Sequence, residues 1–354
     1  MTDRNMMEQK KLAIEEQQRR LDLFDAIVIK HPRLANIEER TQSLRRQTEA
    51  RVAKNEERKK SAKGRPVKQH ELWVLPIIGP SGSTKSTSMA EVIDKIYREP
   101  NLPEEDIPVL VVTIGATTRG PRQFQAQILQ AYGDLGADEV RRSAVGYNAD
   151  IVNEAISEIA RKRKTVVIVL DEAHNCLTYD GGKTGAQMAK IIKALVNNGI
   201  FSVILMGTEE TKRLFKLDPE LLSRCVPDGE IDLDKFDIKR AEDRAYFYGF
   251  VERLEKRMIR DGVIDDRIGL VDSIEARATI YDMAAGVIGI VSRIMRMALD
   301  RALRDGRTTP TWEDIANCFR AWNKTRKTAG FDPFENGPEK STLASLGKAG
   351  KKAA

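Results

Sequence analysis

Gly79–Thr87 reads GPSGSTKST, between an apolar run from Leu72 to Ile78 and a helix-like pattern that follows. A second apolar run, TVVIVLDEAHN from Thr165 to Asn175, carries the acidic pair Asp171 and Glu172 directly after its last strand-like residue. A glycine-rich turn from strand to helix leaves backbone N–H groups to wrap phosphates at a helix N-terminus, where the helix dipole favours anions. Gly79, Gly82, Ser83, Thr84, Lys85, Ser86 and Thr87 form that phosphate loop. Lys85 is expected to reach the β- and γ-phosphates of ATP, and the Ser86 hydroxyl to hold Mg²⁺. Asp171, at the end of a buried strand, supports the same metal, and Glu172 beside it polarises the attacking water. An ordinary Gly/Ser turn explains the first stretch alone but not its acidic partner.

One position departs from the pattern G-x-x-x-x-G-K-[ST]. The residue before Lys85 is Thr84, where the pattern has glycine, and Gly82 lies two residues earlier. A β-branched threonine strains that turn if the turn requires φ > 0. A loop that binds ATP but hydrolyses it slowly therefore stands beside the ordinary reading.

The 354 residues are 41% hydrophobic and 32% charged, enough for one large or two modest soluble domains. Cys176, Cys225 and Cys318 lie far apart with no C-x-x-C spacing, which argues against a zinc module and for a reducing compartment. The opening MTDRNMMEQKK has no apolar core of a secretory signal, and the longest apolar runs are strand-length. A soluble intracellular chain without a membrane partner is expected. The net charge of +6 is concentrated: Arg51–Lys68 alone carries +6 and the segment from Lys324 onward +4, leaving about −4 elsewhere. Such asymmetry suits polyanion contact, although each patch alone also fits a solvated helix face or a solubilising tail.

Apolar spacing over residues 8–30 predicts an amphipathic helix that must stop at or before His31, because Pro32 cannot continue it. Residues 34–60 read as a second helix with few apolar positions (Leu34, Ile37, Leu44, Val52), one that is mostly solvated or needs a partner, and 63–68 as a linker. From Leu72 strands and helices alternate: strands at 72–78, 109–114, 165–170 and 201–206, helices to about Tyr97 and at 123–132, 149–161 and 186–197. This alternation predicts a parallel sheet covered by helices, with ligands at the C-terminal strand ends. After Asp237 helices are predicted at 238–259, 270–284, 290–304 and 311–322, the last with a capping-box start at Thr311 and Asp314. The expected domains are a helical basic extension with linker (1–69), an α/β core (70–237), a helical lid (238–323) and a disordered basic tail (324–354).

This order of motifs resembles the AAA+ superfamily, and more closely the TniB/TnsC-type ATPases that regulate DNA transposition. The resembling stretches are HPRL (His31–Leu34), the phosphate loop, LDEAHN (Leu170–Asn175), LMGTEE (Leu205–Glu210) and LDPELLSRC (Leu217–Cys225), within roughly residues 25–305. The resemblance implies a P-loop AAA+ parallel-sheet core with helices on both faces, followed by a helical lid. It makes Thr208 the sensor that orients water, where a hydroxyl capping the next helix is the competing role. It makes Arg224 the finger a neighbouring subunit inserts at the γ-phosphate, against a surface arginine capping a helix C-terminus. Arg293, in GVIGIVSRI, resembles the lid's second sensor, or is one helix-face arginine beside Arg296, Arg301 and Arg304. DEAH also occurs in helicases, but a helicase needs a second RecA-like domain for which the helical lid leaves no room. His174 is expected to pack beside the site rather than bind metal.

The loop GATTRGPRQF (Gly115–Phe124) offers Thr117, Thr118, Arg119 and Arg122 to duplex phosphates, or is a solvated loop. Phe124 is the only aromatic there, so single-strand stacking is not favoured. As the resemblance implies, the chain assembles as a homo-oligomeric ring or filament with ATP between subunits, on duplex DNA and without sequence preference. It then recruits or activates a transposase in the bacterial cytoplasm, and hydrolysis drives disassembly. The alternative is a signalling or secretion-associated ATPase acting on protein partners.

Overall fold

The computed structural model describes residues 3–63, 65, 67–133, 148–177 and 182–350. The expected linker residues Gly64 and Pro66 and the last four residues of the expected tail lie outside them. The chain divides into two units: Pro32–Ser81 with Lys85–Asp234, and Met1–His31 with Gly82–Thr84 and Lys235–Ala354. The boundaries expected from sequence at 69/70 and 237/238 are not those of these units.

The first unit is an α/β layer structure. Strands β1 (Val74–Ile78), β2 (Val109–Thr113), β3 (Val167–Asp171), β4 (Ser202–Gly207) and β5 (Ile231–Asp232) form one sheet in the order β2-β3-β4-β1-β5, all pairs parallel. β1, β3 and β4 are buried throughout, as helices covering both sheet faces require. Pro76, inside β1, lacks a ladder donor. Its place is explained by the pairing: the β5 side of β1 is bonded at Val74, to Arg224 O and Val226 N, and at Ile78, to Leu233 N. Pro76 falls between these two anchor points, where no partner strand needs its N–H.

Helix α2 (Pro32–Ser61), with Pro32 opening its first turn, belongs to this unit. Leu34, Ile37, Thr41, Leu44, Thr48 and Asn55 form its buried face. Thr48 Oγ1 lies 2.6 Å from Ser202 Oγ at the start of β4. Asn55 accepts from His70 N at 2.6 Å and donates to His70 O at 3.0 Å and Gly199 O at 3.2 Å. The helix is thus not a free extension. Its partner is the core, and part of its buried face is polar, which is why the apolar count was low. The remaining helices are α3 (Lys85–Tyr97), α4 (Pro121–Ala131), α5 (Ala149–Lys162), α6 (Lys183–Asn197), α7 (Lys212–Leu217) and α8 (Pro219–Leu222).

The second unit is helical: α1 (Asp3–Asp25), α9 (Ala241–Arg260), α10 (Ile274–Ala284), α11 (Ile288–Arg304), α12 (Trp312–Arg326) and α13 (Lys340–Gly350). Phe247, Val251, Leu254, Met258, Ile294, Met295, Leu299 and Phe319 make its core, joined by Leu21 and Phe24 of α1. Arg20 bonds Asp265 at 3.0 Å, and Arg296 bonds Asp25 at 2.6 and 2.7 Å, fixing α1 to this unit. The capping box at Thr311 and Asp314 is formed. The tail expected to be disordered from Lys324 is instead structured over most of its described length. α12 runs on to Arg326, and α13 docks through Thr342, which donates to Asp282 Oδ1 at 2.7 Å, with Leu346 buried nearby. Among the described residues no single helix is long and apolar enough to cross a membrane.

Candidate nucleotide site

Parallel strands bring the sequence motifs to one edge of the sheet. β4 lies between β1 and β3, with Ile78 opposite Gly207 and Leu170 opposite Leu205. Gly79, Thr208 and Asp171 therefore stand at the C-terminal ends of three adjacent strands, spaced about 4.8 Å apart in the hydrogen-bonding direction. Gly79 N continues the ladder to Gly207 O at 3.1 Å.

Lys85 opens α3 and is buried, its Nζ donating to Gly79 O at 2.7 Å and Pro80 O at 3.0 Å. Ser83 is buried, whereas Ser86 and Thr87 are exposed on the first turn of α3. Gly82 has φ +85° and Thr84 has φ +70°. The turn thus does demand the left-handed region at the position where the sequence supplies threonine, the strained outcome that the departure from glycine implies.

Asp171 ends β3, is buried, and accepts Glu172 N at 2.8 Å through Oδ1. Its second carboxylate oxygen and the exposed Ser86 hydroxyl are hard oxygen donors of the kind Mg²⁺ takes, so these residues fit that ion. Glu172 is also left-handed, with φ 55° and ψ 38°, which turns its half-exposed side chain away from the strand. Glu172 Oε2 and His174 Nδ1 lie 3.3 Å apart without the alignment of a hydrogen bond. His174 packs against the end of β4, close enough that a Cβ at Gly207 would approach its Nδ1 to 3.4 Å. Asn175 Nδ2 donates to Ile114 O at 2.8 Å, tying the acidic turn to the end of β2. Thr208 precedes the short turn Glu209–Thr211 and makes no side-chain capping bond, so the capping role weighed for its hydroxyl is not formed.

Arg224 lies at the other end of β1. Val74 N donates to Arg224 O at 2.8 Å, and Val226 N to Val74 O at 2.9 Å. From Val74 to Gly79 a strand advances about 16 Å at ~3.3 Å per residue. The Arg224 guanidinium donates through Nε to Asn197 Oδ1 at 3.0 Å, through Nη1 to Ser223 Oγ at 3.0 Å and through Nη2 to Glu71 Oε1 at 2.9 Å. Its partners are side chains, so it does not cap helix carbonyls. Arg293 is exposed on α11, with its guanidinium 5.7 Å from the Trp322 ring centroid within the helical unit.

The loop after β2 divides the residues assigned to DNA. Thr117 and Arg119 are exposed and Arg122 is half-buried at the start of α4. Thr118 is corrected: at 1% exposure, with its hydroxyl bonded to Gln127, it cannot meet a phosphate. Phe124 is fully buried, which removes the only local stacking ring. Arg119 and Arg122 line a groove of about 710 Å³ together with Lys190 of α6, Asn153, Ile191 and the acidic Asp150. Lys190 was not singled out from the sequence. It lies on a helix with several lysines, and only the fold brings it to the groove that the two arginines line.

Residues 74–215 match the protein family described as AAA domain. The ORC1 protein of Aeropyrum pernix, solved in complex with DNA, shares the fold with a TM-score of 0.51 at 16% identity, over 78% of this chain and 66% of that one. The Aeropyrum pernix ORC2 protein in its ADP form gives a TM-score of 0.51 at 14% identity, over 84% of this chain and 72% of that one. The chain thus spans about two thirds of the length of the first of these, 66%. No curated protein sequence matches it. The segment from Val74 to Phe215 thus resembles an AAA domain, and the chain has the AAA+ fold.

Proposed function

We propose that this chain is an ATP-dependent, DNA-binding regulator of transposition of the TniB/TnsC type, which assembles on duplex DNA and recruits or activates a transposase. The observation that carries the reading is the separation of Arg224 from the phosphate loop of its own subunit by the length of β1. An arginine so placed is out of reach of its own subunit's nucleotide but can serve a neighbour's, which supports assembly with ATP between subunits as a ring or filament. Lys85 meets the β- and γ-phosphates, Ser86 and Asp171 hold Mg²⁺, and Glu172 polarises the water that Thr208 helps to orient. When bound there, Mg²⁺ would neutralise charge on the phosphates. Arg224 of the next subunit meets the charge that builds on the transferred phosphoryl group. Arg293 keeps its assignment as a second sensor of the nucleotide. Hydrolysis then loosens the assembly.

The groove lined by Arg119, Arg122 and Lys190 supports duplex phosphate contact, and among the described residues no base-reading element confers sequence preference. The DNA complex of the fold relative favours the same partner. The test is ATP turnover with and without duplex DNA, together with salt titrations of binding. Stimulation by DNA of any sequence is expected. Arg119→Ala with Arg122→Ala and Lys190→Ala should weaken all duplexes alike and lower the salt slope by about 2–3. Turnover indifferent to DNA would favour a protein-directed ATPase instead.

A further inference from the structure

We propose that Glu71 is a positioning residue for catalysis in a neighbouring subunit: together with Asn197 it holds the Arg224 guanidinium ready for the nucleotide of a second copy of this chain. The inference rests on the reading of Arg224 as a trans-acting arginine.

An arginine side chain loses rotamer freedom when it is fixed. A finger that meets the transition state from a mobile state must overcome that at each turnover. In this structure the ordering is already present. Each guanidinium nitrogen donates once, to side chains from separate parts of the unit: Asn197 at the end of α6, Ser223 after α8 and Glu71 just before β1. Such bonds fix both the position and the plane of the group. Of the five N–H donors of a guanidinium, three are engaged in this way, and Nη1 and Nη2 each carry one more for an incoming phosphate oxygen.

The holder is itself held. Arg51 Nη1 donates to Glu71 O at 2.6 Å, and the Arg51 guanidinium lies 4.2 Å from the Trp73 ring centroid. Arg224 is further tied by its backbone to Val74. The Arg224 side chain is 19% exposed and that of Glu71 42% exposed. The pair thus sits at the surface, where another subunit can reach it, and Glu71 keeps enough water contact not to draw the arginine inward. Arg51 belongs to the basic segment considered for polyanion contact, but here it braces this support.

The experiment measures DNA-assembled ATP turnover of the full chain carrying Glu71→Ala, Glu71→Gln, Asn197→Ala or Arg224→Ala, with thermal melts as a check of folding. Glu71→Ala should lower kcat about tenfold with KM for ATP unchanged, because displacing a transition-state contact by a fraction of an ångström has this order of effect. Glu71→Gln should recover most of the rate, since its amide oxygen still accepts from Nη2. Asn197→Ala should reproduce a smaller kcat loss by releasing Nε. Mixing Glu71→Ala subunits with an excess of Glu172→Gln subunits, which donate an intact Arg224 but turn over little, should restore turnover at the Glu71→Ala sites. A general structural defect would not be repaired by a neighbour. Wild-type or faster turnover of Glu71→Ala, or a deficit that such mixing does not relieve, overturns the proposal. Full DNA-stimulated turnover in Arg224→Ala would instead remove the parent reading.

Discussion

Thr84→Gly tests whether the phosphate loop carries backbone strain. Thr84 has φ +70°, in the left-handed region, immediately before the lysine of the loop. For an L-residue that region costs about 1–2 kcal/mol, and branching at Cβ places threonine toward the upper end. Glycine removes this cost but adds conformational freedom to the unfolded chain, which costs about 0.5–1 kcal/mol. The balance is a gain of about 1 kcal/mol, a few degrees or less in melting temperature for units of this size. Thr84→Ala keeps the Cβ and removes only the branch, so it should gain less than glycine. Denaturant titration of the two variants beside wild type provides the assay. ATP affinity should not fall in Thr84→Gly, since the backbone geometry that aims the loop N–H groups is retained. The control is Gly82→Ala, at φ +85°, which should lose stability where Thr84→Gly gains it. If Thr84→Gly were no more stable than Thr84→Ala, the positive φ would not be storing strain.

Three further outcomes follow from the site and the lid. Lys85→Ala should abolish nucleotide binding in an ATP titration, because the loop has no other cation to take the role proposed for Lys85 at the phosphates. Glu172→Gln should keep ATP bound and slow its hydrolysis by at least tenfold, with longer-lived assemblies on DNA, since an amide neither accepts a proton nor polarises water as well. Arg307 beside Asp314 holds that buried carboxyl well below the usual carboxylate range, reinforced by the Thr311 backbone and hydroxyl. A depressed folded value adds stability above the unfolded pKa of about 4 and loses it as pH falls toward the folded one, so acid unfolding of wild type should be steeper than that of Asp314→Asn.

The phosphate loop and the acidic strand were legible because their chemistry requires particular residues at fixed positions between an apolar run and a helix. The same holds for the capping box at Thr311, where the side-chain roles are local. α2 was less legible, because Thr41, Thr48 and Asn55 are buried on its core-facing side, and a count of apolar residues sees only half of that face. β5 was missed because it contributes only Ile231 and Asp232 to the sheet, too short for any period. α13 was read as disordered from its Gly, Lys and Ser content. What orders it is Asp282, distant in sequence, which accepts from Thr342 and from Glu339 N. Thr118 looked like a phosphate donor by residue type, and only the fold turned its hydroxyl inward onto Gln127.

Strand direction explains why the sequence motifs and Arg224 call for different kinds of argument. In a parallel sheet every strand ends at the same edge, so residues directly after β1, β3 and β4 meet whatever their separation along the chain. Gly79, Asp171 and Thr208 obey that rule. Arg224 does not, because it pairs with the beginning of β1, and no side-chain rotation carries it the length of a strand to the opposite edge. Under the proposed function, a bound nucleotide has its lysine and acids within one subunit and takes its arginine from another. Turnover should consequently rise more steeply than linearly with protein concentration until assembly is complete, and DNA that gathers subunits should shift that rise to lower concentration. A specific activity independent of concentration, with and without DNA, would mean that one subunit suffices and that Arg224 serves only the Glu71 and Asn197 contacts seen within it.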